Sequence, residues 1–249
     1  MMFNYKWQFA ILEVLFLFNL LRQQAEFSTY VSYLLSILLI IFLVTPLHEW
    51  AHAFAASKLG DKSIKYRGRL TLNPMAHLDY MGAIFMLLFG FGWAKPVPVD
   101  DRYFKNPKVG MAITALAGPL SNILAAFVGG FLYCGVVAIV INTNPILIVS
   151  GTVSFILELL GFFISVNCTL AVFNLIPWPP LDGSKILFAF LPDKWINLLY
   201  QYQQYFYFVL MGLLLFTNVL TGPLNSMTSW LLDMVMTVCE APFGGLLYL

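Results

Sequence analysis

The chain has 249 residues, of which 60% are hydrophobic and 10% charged, and its formal net charge is +1. A soluble domain carries about a quarter charged residues, so this composition excludes an ordinary water-exposed globule and indicates a polytopic membrane protein. So small a net charge gives no electrostatic case for a nucleic-acid partner. Cys134, Cys168 and Cys239 stand singly in apolar runs, without the spacing of a zinc site or a disulfide framework.

A helix needs about 20 apolar residues to cross a bilayer. Residues 7–21 are apolar but short and contain Glu13, which marks a weak span or an interfacial helix. No small-residue cleavage site follows, so a removable signal peptide is not expected. Residues 27–47 are uncharged, and the helix is predicted to continue through His48 to about Leu59. Two basic loops come next, at residues 58–69 and 95–108; by the positive-inside rule both face the cytoplasm. The apolar stretch between them is too short to cross twice, and Gly82, Gly90 and Gly92 argue against a plain helix. Residues 83–99 are therefore expected to dip in and return as a short re-entrant β-hairpin or loop. Non-helical backbone at that depth must line protein or a wet cavity. Pro96 and Pro98 remove donors from one edge of its second strand, leaving the other arm's edge open to an added substrate strand.

Residues 109–157 are again uncharged, far too long for one crossing, and Asn142-Thr143-Asn144-Pro145 divides them. The second span runs to about Phe173, with Glu158 its one charge. A proline-rich turn, residues 174–183, precedes a short helix at 184–191. Residues 195–232 are uncharged and broken at Thr221-Gly222-Pro223, giving one span and a weaker one after it. The predicted architecture is an all-α polytopic membrane protein of five to six transmembrane helices with the re-entrant hairpin or loop near its active site. It forms a single membrane-embedded domain, residues 1–249, with accessory helices at 1–26 and 195–249.

His48-Glu49-Trp50-Ala51-His52 spells H-E-x-x-H at the end of a membrane helix. Positions i and i+4 share a helix face, so both imidazoles can reach one ion, and Glu49 stands next to the first of them, in reach of a water proton. Two histidines and a glutamate among apolar residues are costly unless paired or metal-bound. Catalytic zinc takes three protein ligands and keeps an open position. The candidates for the third are His77, Asp79, Glu158, Asp182 and Asp233. Asp182 follows a run of prolines that stops the preceding helix and precedes Gly183, a setting that presents a carboxylate sideways; it also suits an N-cap of the next helix. Asn122 follows Gly118-Pro119 and is a candidate for donating a hydrogen bond to a substrate carbonyl, or for interhelical packing. Asn174 is read as orienting the turn before Asp182. His77 and Glu158 have no assigned role. An intramembrane His and carboxylate cluster also suits a metal transporter, although no repeat and no chain of ligands across the membrane is visible. A catalytically inert binder of membrane helices is a further alternative.

H-E-x-x-H on one membrane helix, followed by Asn174-x-x-Pro177-x-x-x-Leu181-Asp182-Gly183, resembles the site-2 protease family of intramembrane zinc metalloproteases. The resemblance extends over residues 45–191. It includes Asn73-Pro74-Met75-Ala76-His77-Leu78-Asp79, the run from Trp93 to Pro98, and Ala117-Gly118-Pro119-Leu120-Ser121-Asn122, which are similar to segments of the small bacterial branch. No PDZ or CBS domain of the larger members is present. The resemblance implies one zinc ion held by His48, His52 and Asp182, with Glu49 as base. It also implies a multi-pass protein of the bacterial cell membrane with its active site toward the cytoplasm. The substrate would be a transmembrane segment of another protein, opened locally before cleavage.

Overall fold

The computed structural model describes residues 27–89, 92–216 and 219–244; the first apolar segment, residues 7–21, lies outside them. Helix α1 (Phe27–Leu39) passes through a π-helical stretch (Ile40–Val44) into α2 (Thr45–Leu59). The cause is Pro46 in the first turn of α2: it has no N–H to give the carbonyl of Phe42, and its ring would strike that carbonyl. The ladder widens, and Thr45 N–H reaches back to Ile40 instead. A wide turn thus sits immediately before the His48–His52 motif, as such turns often do at functional sites. α2 ends at Gly60, which adopts φ 125°, a region that favours glycine.

Three short helices follow: α3 (Ser63–Tyr66), α4 (Pro74–His77) and α5 (Tyr80–Phe89). Helix α5 corrects the expected hairpin, since its first arm is helical and no strand occurs among the described residues. Asp79 starts it by accepting the Gly82 N–H at 2.8 Å, an N-cap that the sequence reading did not use. Met, Ala and Leu then favour helix, and Gly92 lies in the extended segment that follows. Gly82 serves close approach rather than helix breaking, because a Cβ there would strike the backbone of Trp93. The chain does double back, with Gly92 and Trp93 against Gly82, and returns as an extended segment without a strand partner.

α6 (Pro107–Thr143) is 37 residues long and packs against α2, α11 (Thr221–Glu240), α7 (Gly151–Asn174) and α8 (Asp182–Phe188). Asn106 caps its start, and the chain turns at Asn144 and Pro145 as expected. Among the described residues three helical stretches are long and apolar enough to cross a membrane, Leu34–Leu59, Pro107–Thr143 and Gly151–Asn174; five to six were expected. The apolar run 195–232 is described as α9 (Asp193–Gln201), α10 (Gln203–Phe216) and α11, with residues 217 and 218 outside the described ones.

Ala126, Cys134, Ile164, Cys168, Val235 and Cys239 belong to the main core between α6, α7 and α11, and all three cysteines are free thiols buried there. A smaller cluster, Ala53, Ala56, Ile64 and Phe104, joins α2 to the two basic loops. Asp61, fully buried beside it, accepts the Ser63 N–H at 3.0 Å, the Ser63 hydroxyl at 2.6 Å and the Asp100 N–H at 2.8 Å. Three donors offset the cost of burying that acid and fix both loops at one end of the bundle.

Candidate metal centre

His48 and His52 stand one turn apart on the face of α2 that packs against α6. Their Nε2 atoms lie 3.0 Å from each other, and Asp182 Oδ2 lies 3.3 Å from the first and 3.1 Å from the second. In a tetrahedral zinc site, donors about 2.0–2.1 Å from the ion are about 3.3 Å apart, so the triangle has the right size. These three side chains form the group that can hold a metal among the described residues.

Hydrogen bonds at the far side of each ring decide what the triangle presents. His52 Nδ1 lies 2.7 Å from the Thr114 carbonyl, which can only accept, so Nδ1 carries the proton and Nε2 a bare lone pair. His48 Nδ1 lies 2.5 Å from Asn122 Oδ1. Burial works to raise the Asp182 carboxyl and the charge of Lys185 works to lower it; the balance lies below the usual carboxylate range. It is therefore an anion, and the Lys185 ammonium occupies its other oxygen, Oδ1, at 3.1 Å. Buried lone pairs converging on one point require a cation between them, which is the condition a metal satisfies.

α6 makes room for this arrangement. Thr114, Gly118 and Asn122 recur every four residues and so share one face. A Cβ at Gly118 would lie 2.5 Å from His52 Cε1 and 2.6 Å from His48 Cε1. The glycine lets the helix backbone close on the two rings. Asp182 is the first residue of α8 rather than its cap, and no side chain caps that helix. Its carboxylate turns toward α2 after residues 177–181 have broken the path from α7. The Trp178 indole N–H fastens that turn to the Phe206 carbonyl at 3.0 Å.

Glu49 accepts the Val97 N–H at 3.1 Å, and the His77 carbonyl accepts the Lys95 N–H at 2.8 Å. Alternate N–H groups of an extended segment point to one side, so the returning arm of the loop is pinned along the edge of the site. A mostly apolar cavity of about 300 Å³ opens there, lined by His48, Glu49, His77, Met86, Trp93 and Tyr207 among others. His77 is wholly buried and outside the metal group; its Nε2–H donates to the Thr71 carbonyl at 2.8 Å and its Nδ1 has no partner. Asn122 is 1% exposed with both ends of its amide engaged, Oδ1 by His48 and Nδ2 by Asn167. Asn174 donates to the Leu170 carbonyl of its own helix at 2.9 Å. Glu158 lies on an exposed part of α7 and outside the metal group. Sequence reasoning missed the Thr114 carbonyl, Gly118, Asn167, Lys185 and the Val97 N–H. The four-residue spacing of 114, 118 and 122, and a lone Asn167 in an apolar span, were the available signals.

Comparison with known proteins gives the reaction class. The Peptidase family M50 model matches residues 35–217. YwhC of Bacillus subtilis is 34% identical over 228 residues, covering 89% of this chain and 99% of its own length. Rip2 of Mycolicibacterium smegmatis is 28% identical over 192 residues, 75% of this chain and 69% of its own. MJ0611 of Methanocaldococcus jannaschii is 31% identical over 145 residues, 56% of this chain and 62% of its own. All three carry provisional zinc metalloprotease names. No solved structure matches. The match over 35–217 takes in the H-E-x-x-H helix, Asn122 and the Asp182 turn together, and the chain belongs to peptidase family M50.

Proposed function

We propose that this protein is an intramembrane zinc endopeptidase that cleaves transmembrane segments of other membrane proteins near the cytoplasmic face. The observation that carries the reading is the convergence of His48 Nε2, His52 Nε2 and Asp182 Oδ2, all within 3.3 Å of one another, the histidines within a membrane-length helix and beside Glu49. These three atoms would hold the ion. When bound, zinc supplies Lewis acidity to the attacking water and the scissile carbonyl.

The chain's own groups do the rest. Glu49 takes the proton of the attacking water on its carboxylate and returns it to the leaving amide nitrogen. The Asn122 and Thr114 oxygens keep both imidazoles in the tautomer that faces the ion. The apolar cavity excludes bulk water around the reacting peptide, and the Val97 N–H must give way, or share Glu49, when water and substrate arrive. The basic loops 58–69 and 95–108, joined through Asp61, favour placing this end at the cytoplasm, where water is at hand. A substrate helix hides its carbonyls in its own hydrogen bonds, so a weak helix is the better substrate.

The test is Glu49→Gln in detergent-purified protein and in cells. The variant should retain one zinc per chain by elemental analysis while cleavage of a membrane-protein substrate falls at least about a hundredfold. Near-normal cleavage would remove Glu49 from the mechanism. Zinc flux into proteoliposomes that the substitution leaves untouched would instead favour a transporter.

A further inference from the structure

The two ligand imidazoles are fixed in different ways. His52 leans on a backbone carbonyl, whose polarity cannot change. His48 leans on a primary amide, whose oxygen and nitrogen ends exchange by a simple flip. Were Asn122 to present its NH₂ group, His48 Nδ1 would have to accept, and the proton would sit on Nε2 where the ion belongs. Something must hold the amide the right way round.

Asn122 Nδ2 donates to Asn167 Oδ1 at 3.0 Å, and Asn167 Nδ2 donates to the Phe163 carbonyl at 2.8 Å. Asn122 is 1% exposed and Asn167 0%, so water cannot substitute for either partner. The polarity of the whole chain is then forced from its far end. The Phe163 carbonyl can only accept, so Asn167 turns its NH₂ toward it and its oxygen toward α6. That oxygen can only accept, so Asn122 turns its NH₂ toward α7 and its oxygen toward His48. That oxygen in turn requires a proton on Nδ1.

We infer that Asn167 of α7, which touches neither the metal group nor Glu49, is a positioning residue that sets the tautomer of His48 through Asn122. The fixed reference is a backbone carbonyl on a different helix, so correct docking of α7 on α6 is a condition for a correctly protonated ligand on α2. The inference rests on the metal-site reading above, but it can fail separately from it.

The experiment uses full-length protein loaded with zinc, or with cobalt for spectroscopy. Asn167→Leu removes both bonds and frees the Asn122 amide to flip. Zinc affinity, measured by competition with a chelator, should fall about tenfold or more, and the cobalt absorption bands should shift. The double variant Asn122→Asp with Asn167→Leu should recover the affinity and the bands. A carboxylate offers an acceptor at either end and needs nothing to orient it. A role for Asn167 in helix packing alone would not be rescued this way. If Asn167→Leu fails to accumulate, Asn167→Ala carries the same expectations. Unchanged affinity and spectrum in the single variant would overturn the inference, and so would a loss that Asn122→Asp does not repair. A wild-type protein that binds no zinc would overturn the metal-site reading itself.

Discussion

The two halves of α6 face different worlds. Its first half, from Thr114 to Asn122, meets α2 through polar contacts: a carbonyl and an amide oxygen to the two histidines, and glycine between them. Its second half meets α7 and α11 through Ala126, Cys134, Val235 and Cys239, with little beyond a weak thiol contact from Cys239 to the Phe127 carbonyl at 3.5 Å. Apolar packing tolerates substitution because it asks only for volume. Buried polar groups ask for a particular partner at a particular end, and leaving one unsatisfied costs more than the bond was worth. One helix therefore contains a region in which composition suffices and a region in which single atoms matter.

The sharpest break in this comparison is Asp182→Ala. Two bare Nε2 atoms would face an empty corner, and zinc content by elemental analysis should fall below about one tenth of wild type, with loss of all cleavage. Full zinc occupancy in that variant would remove Asp182 from the ligand set, and His77, buried with an unpartnered Nδ1, would be the first replacement to examine. Gly118→Ala should come next. Its new methyl must push both imidazoles, and overpacking of that kind costs about 1–3 kcal/mol, or about five- to 160-fold in metal affinity. A chelator titration indistinguishable from wild type would show that α6 can back away, contrary to the polar contacts on either side of the glycine. The smallest effect is expected from Cys239→Ala in the second half. Stability against unfolding in mixed micelles should drop by about 1 kcal/mol with zinc content and cleavage unchanged. A loss of zinc there would dissolve the distinction between the two regions.

Much of the polar region was legible in the sequence because its residues are chemically rare in their setting. H-E-x-x-H and the Leu181-Asp182-Gly183 turn stand out against an apolar background, and the structure brings His48, His52 and Asp182 together. The contribution of backbone atoms was not legible: a Thr114 carbonyl and a Val97 N–H have no letter in the sequence. The loop after α4 was misread for a related reason. Gly82, Gly90 and Gly92 look alike in the sequence as helix breakers, whereas Gly82 lies inside a capped helix and lets Trp93 pass close by. Of the five to six spans expected, three stand among the described residues, Leu34–Leu59, Pro107–Thr143 and Gly151–Asn174.

The length of α6 carries one more consequence. At the helical rise, 37 residues extend about 55 Å, against about 30 Å of hydrocarbon in a typical bilayer. A helix with that much excess must tilt or protrude, by an amount that changes with membrane thickness. Thr114, Gly118 and Asn122 lock α6 to the histidine-bearing face of α2, so neither helix can answer the mismatch alone. The pair tilts as one body. Bilayer thickness then sets how deep the histidines lie and how readily water reaches them, while the angles among the donor atoms stay as the two helices hold them.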